Sequence, residues 1–170
     1  MSELIEIEKN KLPFDPFVLK NKWMLISASK DGMVNTMTAS WGGFGTMWTK
    51  EVAFVVIRPQ RYTKEFVDAS DSFSLSFFDD SHKKDLSYLG KVSGRNEDKL
   101  AKTSLTVLCE NDTPYFKEAE TVIIVKKLYV QPMDGQYLLE KEIGDRWYPE
   151  KDYHYLYIGE VTNILHKTEK

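Results

Sequence analysis

The apolar run Val52–Ile57 stops at Arg58-Pro59-Gln60-Arg61-Tyr62-Thr63 and passes directly into Lys64-Glu65-Phe66-Val67-Asp68-Ala69, which has helical spacing. A buried strand must therefore end in arginines beside the start of a helix. Thr63 is of the Ser/Thr type that caps helices, so the helix is expected to begin there. The first N–H groups of a helix lack carbonyl partners, and with guanidinium groups nearby they form an anion site. Phosphate is the anion that best suits two arginines and a row of N–H donors. The alternative is a plain strand-to-helix turn whose arginines face water.

At 170 residues the chain is expected to form a single domain over 1–170. A hydrophobic share of 42% against 29% charged residues describes a globular chain. The net charge of −3 argues against non-specific nucleic-acid binding, so any phosphate site must be built locally. The one cysteine, Cys109, excludes an intrachain disulfide, and it reads as an ordinary buried thiol. His82, His154 and His166 lie too far apart for a familiar zinc spacing, so no metal site is expected. The stretch Met1 to Glu8 has no basic region and no long apolar stretch, so it does not read as a signal peptide. No apolar run reaches the length of a membrane span. The expectation is a soluble cytoplasmic protein that engages neither membrane nor nucleic acid.

Strands are expected over Lys22 to Ala28 and Val34 to Trp41, joined at Ser29-Lys30-Asp31-Gly32, whose Asp-Gly pair signals a hairpin. In the second strand Thr36, Thr38 and Ser40 share one face, and Met37, Ala39 and Trp41 the other. Val52 to Ile57 does not alternate and reads as buried on both faces. The helix that follows carries Tyr62, Phe66 and Ala69 along one side. A strand over Phe73 to Phe78 comes next, then a helix over Ser81 to Val92 with Leu86 and Leu89 inward. A third helix is expected from Asn96 or Glu97 through Leu100, then a loop from Glu110 to Pro114. Thr121 to Val130 and Tyr153 to Ile164 read as the closing strands, and Gly42, Gly43 and Gly45 as a bend at a barrel mouth. Short strands with small helices between them suggest a mainly β protein, a β-barrel with helical additions.

Four pieces stand in a telling order: Asn35 to Gly43, Arg58 to Thr63, Leu89-Gly90-Lys91-Val92-Ser93-Gly94-Arg95-Asn96-Glu97-Asp98-Lys99, and His154-Tyr155-Leu156-Tyr157-Ile158-Gly159-Glu160-Val161. Together they resemble the flavin reductase-like family of FMN-binding split-barrel proteins, in its flavoredoxin-type branch. The resemblance runs from about Asn21 to His166. It implies a six-stranded split barrel of Greek-key type, a homodimer, and FMN, in preference to FAD, in a groove near the subunit interface. It further implies that Asn35, Thr36, Met37 and Thr38 run along the flavin ring with backbone and hydroxyl groups. Ser40 and Trp41 turn toward the ring edge. Arg58, Gln60, Arg61, Tyr62 and Thr63 hold the ribityl phosphate, Phe78 lies near the ring, and Ser93 and Arg95 border the site. His154 faces the flavin pocket.

These residue types suit the cofactor. The Arg58 to Thr63 turn offers cations and N–H donors to a phosphate, and hydrogen bonds to a charged group contribute about 1.5–3 kcal/mol each. A strand bearing Thr36, Thr38 and Ser40 can line the polar edge of the ring while its other face stays in the core; ordinary outward Thr and Ser are the plain alternative. Arg95 and Lys84 are cations that could stabilise a reduced, anionic flavin, or simply surface residues. His154, in phase with Leu156 and Ile158, reads either as a core histidine or as a pocket residue that gives up a proton near neutral pH. Tyr148, Tyr153, Tyr155 and Tyr157 read as core and dimer contacts, Trp48 as an interface residue. Three functions stay open. The first is a flavin or ferric reductase carrying electrons from NAD(P)H through FMN to free flavin, iron or another acceptor. The second is a flavoredoxin-like carrier between redox-protein partners without direct NAD(P)H oxidation. The third is a barrel that binds ligands without flavin.

Overall fold

The computed structural model describes residues 3–168. Met1, Ser2, Glu169 and Lys170, which the reading of the N-terminus and the expected 1–170 domain include, lie outside the described residues. In chain order the strands are β1 Leu4–Ile7, β2 Met24–Lys30, β3 Met33–Ala39, β4 Gly42–Met47, β5 Lys50–Ile57, β6 Ser72–Phe77, β7 Val107–Glu110, β8 Thr113–Phe116, β9 Thr121–Pro132 and β10 Tyr155–Lys167. The helices are α1 Tyr62–Ala69, α2 Lys83–Lys91 and α3 Lys141–Trp147. No helix among the described residues is long and apolar enough to cross a membrane.

One antiparallel sheet runs in the order β3-β2-β6-β9-β10-β5-β4, and β1 pairs with the far half of β10. The fold is a mainly β split barrel. The sheet has eight strands where the resemblance implies six, because β1 and β4 add to β10 and β5. Its inner face carries Met24, Ile26, Met37, Val55, Ile57, Phe73, Leu75 and Tyr157, and α1 closes one end with Phe66 and Val67. A second cluster lies on the outer face, where Leu25, Val122 and Ile124 meet Leu86 and Leu89 of α2 and Phe116 of β8. The alternation read for β3 holds, but both of its faces are covered. Thr36 is fully buried under this outer layer, and Met37 is buried within the barrel.

β10 bends at register shifts between Ile158 and Gly159 and between Val161 and Asn163. A side chain at Gly159 would meet Val125 Cγ1 at 2.4 Å and Lys126 O at 2.5 Å, so only glycine fits the bend. The hairpin at Asp31-Gly32 forms as expected, with φ of 52° and 76°.

Several expectations are corrected. Thr63 does not cap α1. Arg61 stands at the N-cap without a side-chain hydrogen bond, and Thr63 is buried inside the first turn. Val52 to Ile57 is not buried on both faces: Phe54 is 39% exposed and Val56 half-buried, on the face opposite Ala53, Val55 and Ile57. Gly42 to Gly45 form part of β4 instead of a bend. The third helix is reduced to a 3-10 turn at Leu100–Lys102. Glu110 to Pro114 is a tight hairpin between β7 and β8, with Asn111 and Asp112 at positive φ, and it leaves Cys109 exposed. β1 and α3 were not expected. Both are short, and α3 buries no residue, so neither carries a strong periodic signal.

Candidate functional site

β3 and β4 are the two ends of the sheet path, joined only through Ser40 and Trp41. The barrel is therefore unsealed at this seam. A cleft of about 290 Å³ opens there, lined by Met37, Thr38, Ala39, Ser40, Trp41, Val56, Arg58, Arg61, Trp147 and His154. The tertiary fold thus gathers parts of three separate sequence pieces into one place.

Arg58 reaches across the seam. Its Nη1 pairs with Asp152, and its Nη2 donates to Trp147 O at 2.7 Å. Gln60 Nε2 donates to the same Asp152 carboxylate at 2.7 Å. The guanidinium and its neighbouring amide hold the carboxylate of Asp152 below its usual pKa. Arg58 and Gln60 were expected to face a phosphate. Here they clamp the segment 133–154 that joins β9 to β10 and carries α3.

Arg61 points the other way, donating from Nη1 to Gly90 O at 3.0 Å, at the last turn of α2. Lys99 donates to Leu89 O at 3.0 Å and Val92 O at 3.1 Å, so two cations meet the negative end of α2. Burial, followed by the charge of Arg61, pulls the Lys99 ammonium down to about 8. Burial likewise lowers Arg61 from the usual arginine value. Arg61 keeps donors free for an anion, and with no side-chain cap the first N–H groups of α1 stay available to it.

A second cleft of about 610 Å³ lies beyond the start of α1, with Asn35, Tyr62, Gly94 and Lys99 in its wall. Asn35 donates to Thr63 Oγ1 at 3.1 Å. A Cβ at Gly94 would come within 2.6 Å of Asn35 Oδ1, which ties the Ser93-Gly94-Arg95 turn to β3. Ser93 Oγ accepts from Arg95 N–H at 3.2 Å. Arg95 pairs with Glu65 and lies over the Tyr62 ring, 4.6 Å from its centre. Gly94 beside it lines the second cleft, and Arg95 itself is not free.

The expected residues therefore fall into two groups that meet at the start of α1. Met37, Thr38, Ser40, Trp41, Arg58, Arg61 and His154 line the seam, while Asn35 and Tyr62 line the second cleft. The Thr36 and Thr38 hydroxyls are taken up within the fold. Thr36 Oγ1 meets Ser27 Oγ at 2.8 Å inside the outer layer, and Thr38 Oγ1 donates to Leu86 O at 2.5 Å. Phe78 stands apart from both clefts, packed against Phe116 with ring centres 6.0 Å apart. Lys84 is exposed and lines neither cleft. Trp48 sits at the β4–β5 tip, 6.5 Å from Tyr129.

His154 is 8% exposed, with Nδ1 at 2.9 Å from the Tyr148 hydroxyl and its ring 5.2 Å from that of Trp41. Burial and then the charge of Arg58 pull its pKa down to about 4, against a weaker upward pull from Asp152. With that pKa the imidazole is neutral at pH 7. Leu156 and Ile158 lie on the outer face of β10, where Leu156 lines a separate surface pocket. Sequence reasoning missed Trp147, Asp152 and the site role of Tyr148. Their one signal was crowding: all fall within a few positions of His154.

A family model described as "Flavin reductase like domain" matches residues 19–170. Among solved structures, the FMN-binding domain of a flavin reductases-like enzyme from Shewanella baltica is similar at a TM-score of 0.72 and 18% identity, covering 98% of this chain and 78% of that one. Flavoredoxin from Methanosarcina acetivorans is similar at 0.67 and 20% identity, covering 94% and 73%. An NADH:FAD oxidoreductase from Streptomyces globisporus is similar at 0.64 and 12% identity, covering 85% and 75%. At these identities the likeness is one of fold. No curated protein matches the chain.

Proposed function

Because the chain belongs to the flavin reductase-like family, we propose that it binds FMN and passes electrons from NAD(P)H through it to free flavin, iron or another acceptor. One observation carries this reading: Met37 to Trp41, Arg58, Arg61 and His154 line a single cleft at the barrel seam. The residues present fit the cofactor. The β3 edge offers backbone groups to a ring, Arg61 and the start of α1 offer donors to a phosphate, and Trp41 and Trp147 offer apolar cover. When bound, FMN supplies the redox chemistry itself, accepting a hydride and returning the electrons to an acceptor.

The chain's own residues bind and orient. Arg61 and the first N–H groups of α1 hold the phosphate end toward the second cleft. Trp41 and Trp147, in edge contact with ring centres 5.0 Å apart, keep water from the seam. Arg58 and Gln60 act on the cofactor through the segment they clamp. The role extends over one domain. Phe54 and Tyr129, in register across Ile158 of β10 on one face of the sheet and 39% and 40% exposed, support a homodimer. Light scattering that returns a monomer at micromolar concentration would remove the dimer.

The visible spectrum tests the whole reading. Flavin bands in the purified protein, or on adding FMN, are expected. A colourless protein that ignores FMN would refute it. Anaerobic NADH or NADPH should then bleach the bound flavin rapidly. Bleaching only by dithionite or by a reduced redox protein would assign the carrier role of a flavoredoxin instead.

A further inference from the structure

Tyr148 and His154 stand on the segment that runs from α3 into β10, and their side chains meet in a buried contact at 2.9 Å. A neutral imidazole carries one N–H, on either Nδ1 or Nε2. If Nδ1 carried it, it would donate to the phenol oxygen, and the phenol hydrogen would need a second acceptor. Among the described residues His154 is the only hydrogen-bond partner of Tyr148 Oη. A buried hydrogen without an acceptor is costly, so the phenol donates and Nδ1 accepts. The hydrogen of the ring then sits on Nε2. His154 lines the seam cleft, and no described group bonds its Nε2. Tyr148 is itself held in place, with the Arg58 guanidinium 5.3 Å over its ring and Tyr153 packed at 4.9 Å.

We propose that Tyr148 is a positioning residue that locks His154 in the Nε2–H tautomer, so that His154 offers the seam cleft an uncharged hydrogen-bond donor. The ligand atom opposite must then be an acceptor, a carbonyl oxygen or a pyridine-type nitrogen. Both occur on a flavin ring. The identity of that ligand rests on the function proposed above; the tautomer does not.

Nitrogen-15 spectra of histidine-labelled protein at pH 7, recorded without FMN, test the tautomer directly. A pyridine-type Nδ1 and a protonated Nε2 are expected for His154. A protonated Nδ1 would overturn the proposal. In Tyr148→Phe no donor faces Nδ1, so the spectrum should move to a mixture of tautomers. A single unchanged Nε2–H form would remove the role of Tyr148. In the loaded protein that variant should lower the rate of flavin reduction in proportion to the Nε2–H population lost, with KM for NADH changed less than about twofold. If Tyr148→Phe fails to fold, the wild-type spectrum still decides the tautomer. His154→Gln, which can place an amide N–H near the lost donor, should then keep more rate than His154→Ala; equal rates would count against the donor. A wild-type protein that shows the Nε2–H form yet binds no FMN would sink the flavin reading and leave the tautomer standing.

Discussion

Arg58 Nη2 donates to the main-chain carbonyl of Trp147 at 2.7 Å, across a separation of 89 residues. With the Asp152 pair, this contact latches the α3 segment over the barrel seam. α3 itself fully buries no residue, so the polar latch adds to the contacts of Trp147 with Trp41 and the burial of Tyr148. Arg58→Ala should speed amide exchange in residues 141–152 by about tenfold, roughly 1.4 kcal/mol of local opening, and leave β9 and the N-terminal half of β10 protected. Equal exchange in the variant and the parent would show that the latch holds nothing.

Arg61 has a different partner and predicts a different phenotype. Arg61→Ala should weaken FMN binding at least tenfold, about 1.4 kcal/mol, and leave riboflavin binding near its original value. Fluorescence titration with both ligands makes the comparison. Loss of FMN and riboflavin affinity in equal measure would place Arg61 away from the phosphate.

His154 predicts an acid limb in stability. Its folded pKa of about 4 lies below the usual 6.5, so between these values the unfolded chain takes up a proton that the folded chain refuses. Stability should therefore be full above pH 6.5 and fall progressively toward pH 4, by up to about 3 kcal/mol from this group. Urea midpoints across that range should fall less steeply in His154→Gln. Parallel pH profiles would mean that His154 titrates normally in the fold.

The β4–β5 turn carries Trp48 and Thr49 at φ of 54° and 58°. Left-handed backbone is disfavoured for a bulky indole and for a β-branched residue, and turns of this shape favour Asn-Gly. Replacing Trp48-Thr49 with Asn-Gly should raise stability by about 1–2 kcal/mol, read as a higher Tm. An unchanged or lower Tm would mean that Trp48 makes a contact worth more than the strain it imposes.

Local chemistry made much of this legible. Asp31-Gly32 announced its hairpin because that pair tolerates positive φ. Leu86 and Leu89 announced the buried side of α2 through helical spacing. The Asn111-Asp112 turn was read only as a break, because its strands are short. Val52 to Ile57 read as doubly buried because a continuous apolar run does not reveal which face lacks a covering layer.

Composition and periodicity determined the longer strands, a helix starting within the Arg58 to Thr63 motif and the gathering of basic and aromatic residues in a few short motifs. Those properties belong to neighbours along the chain. Which arginine faces the open cleft, and which one clamps Asp152, was decided only when β10 folded against β5 and carried the 133–154 segment across the seam. A guanidinium binds whichever acceptor the tertiary fold brings within about 3 Å, and that distance is set by residues far away in sequence.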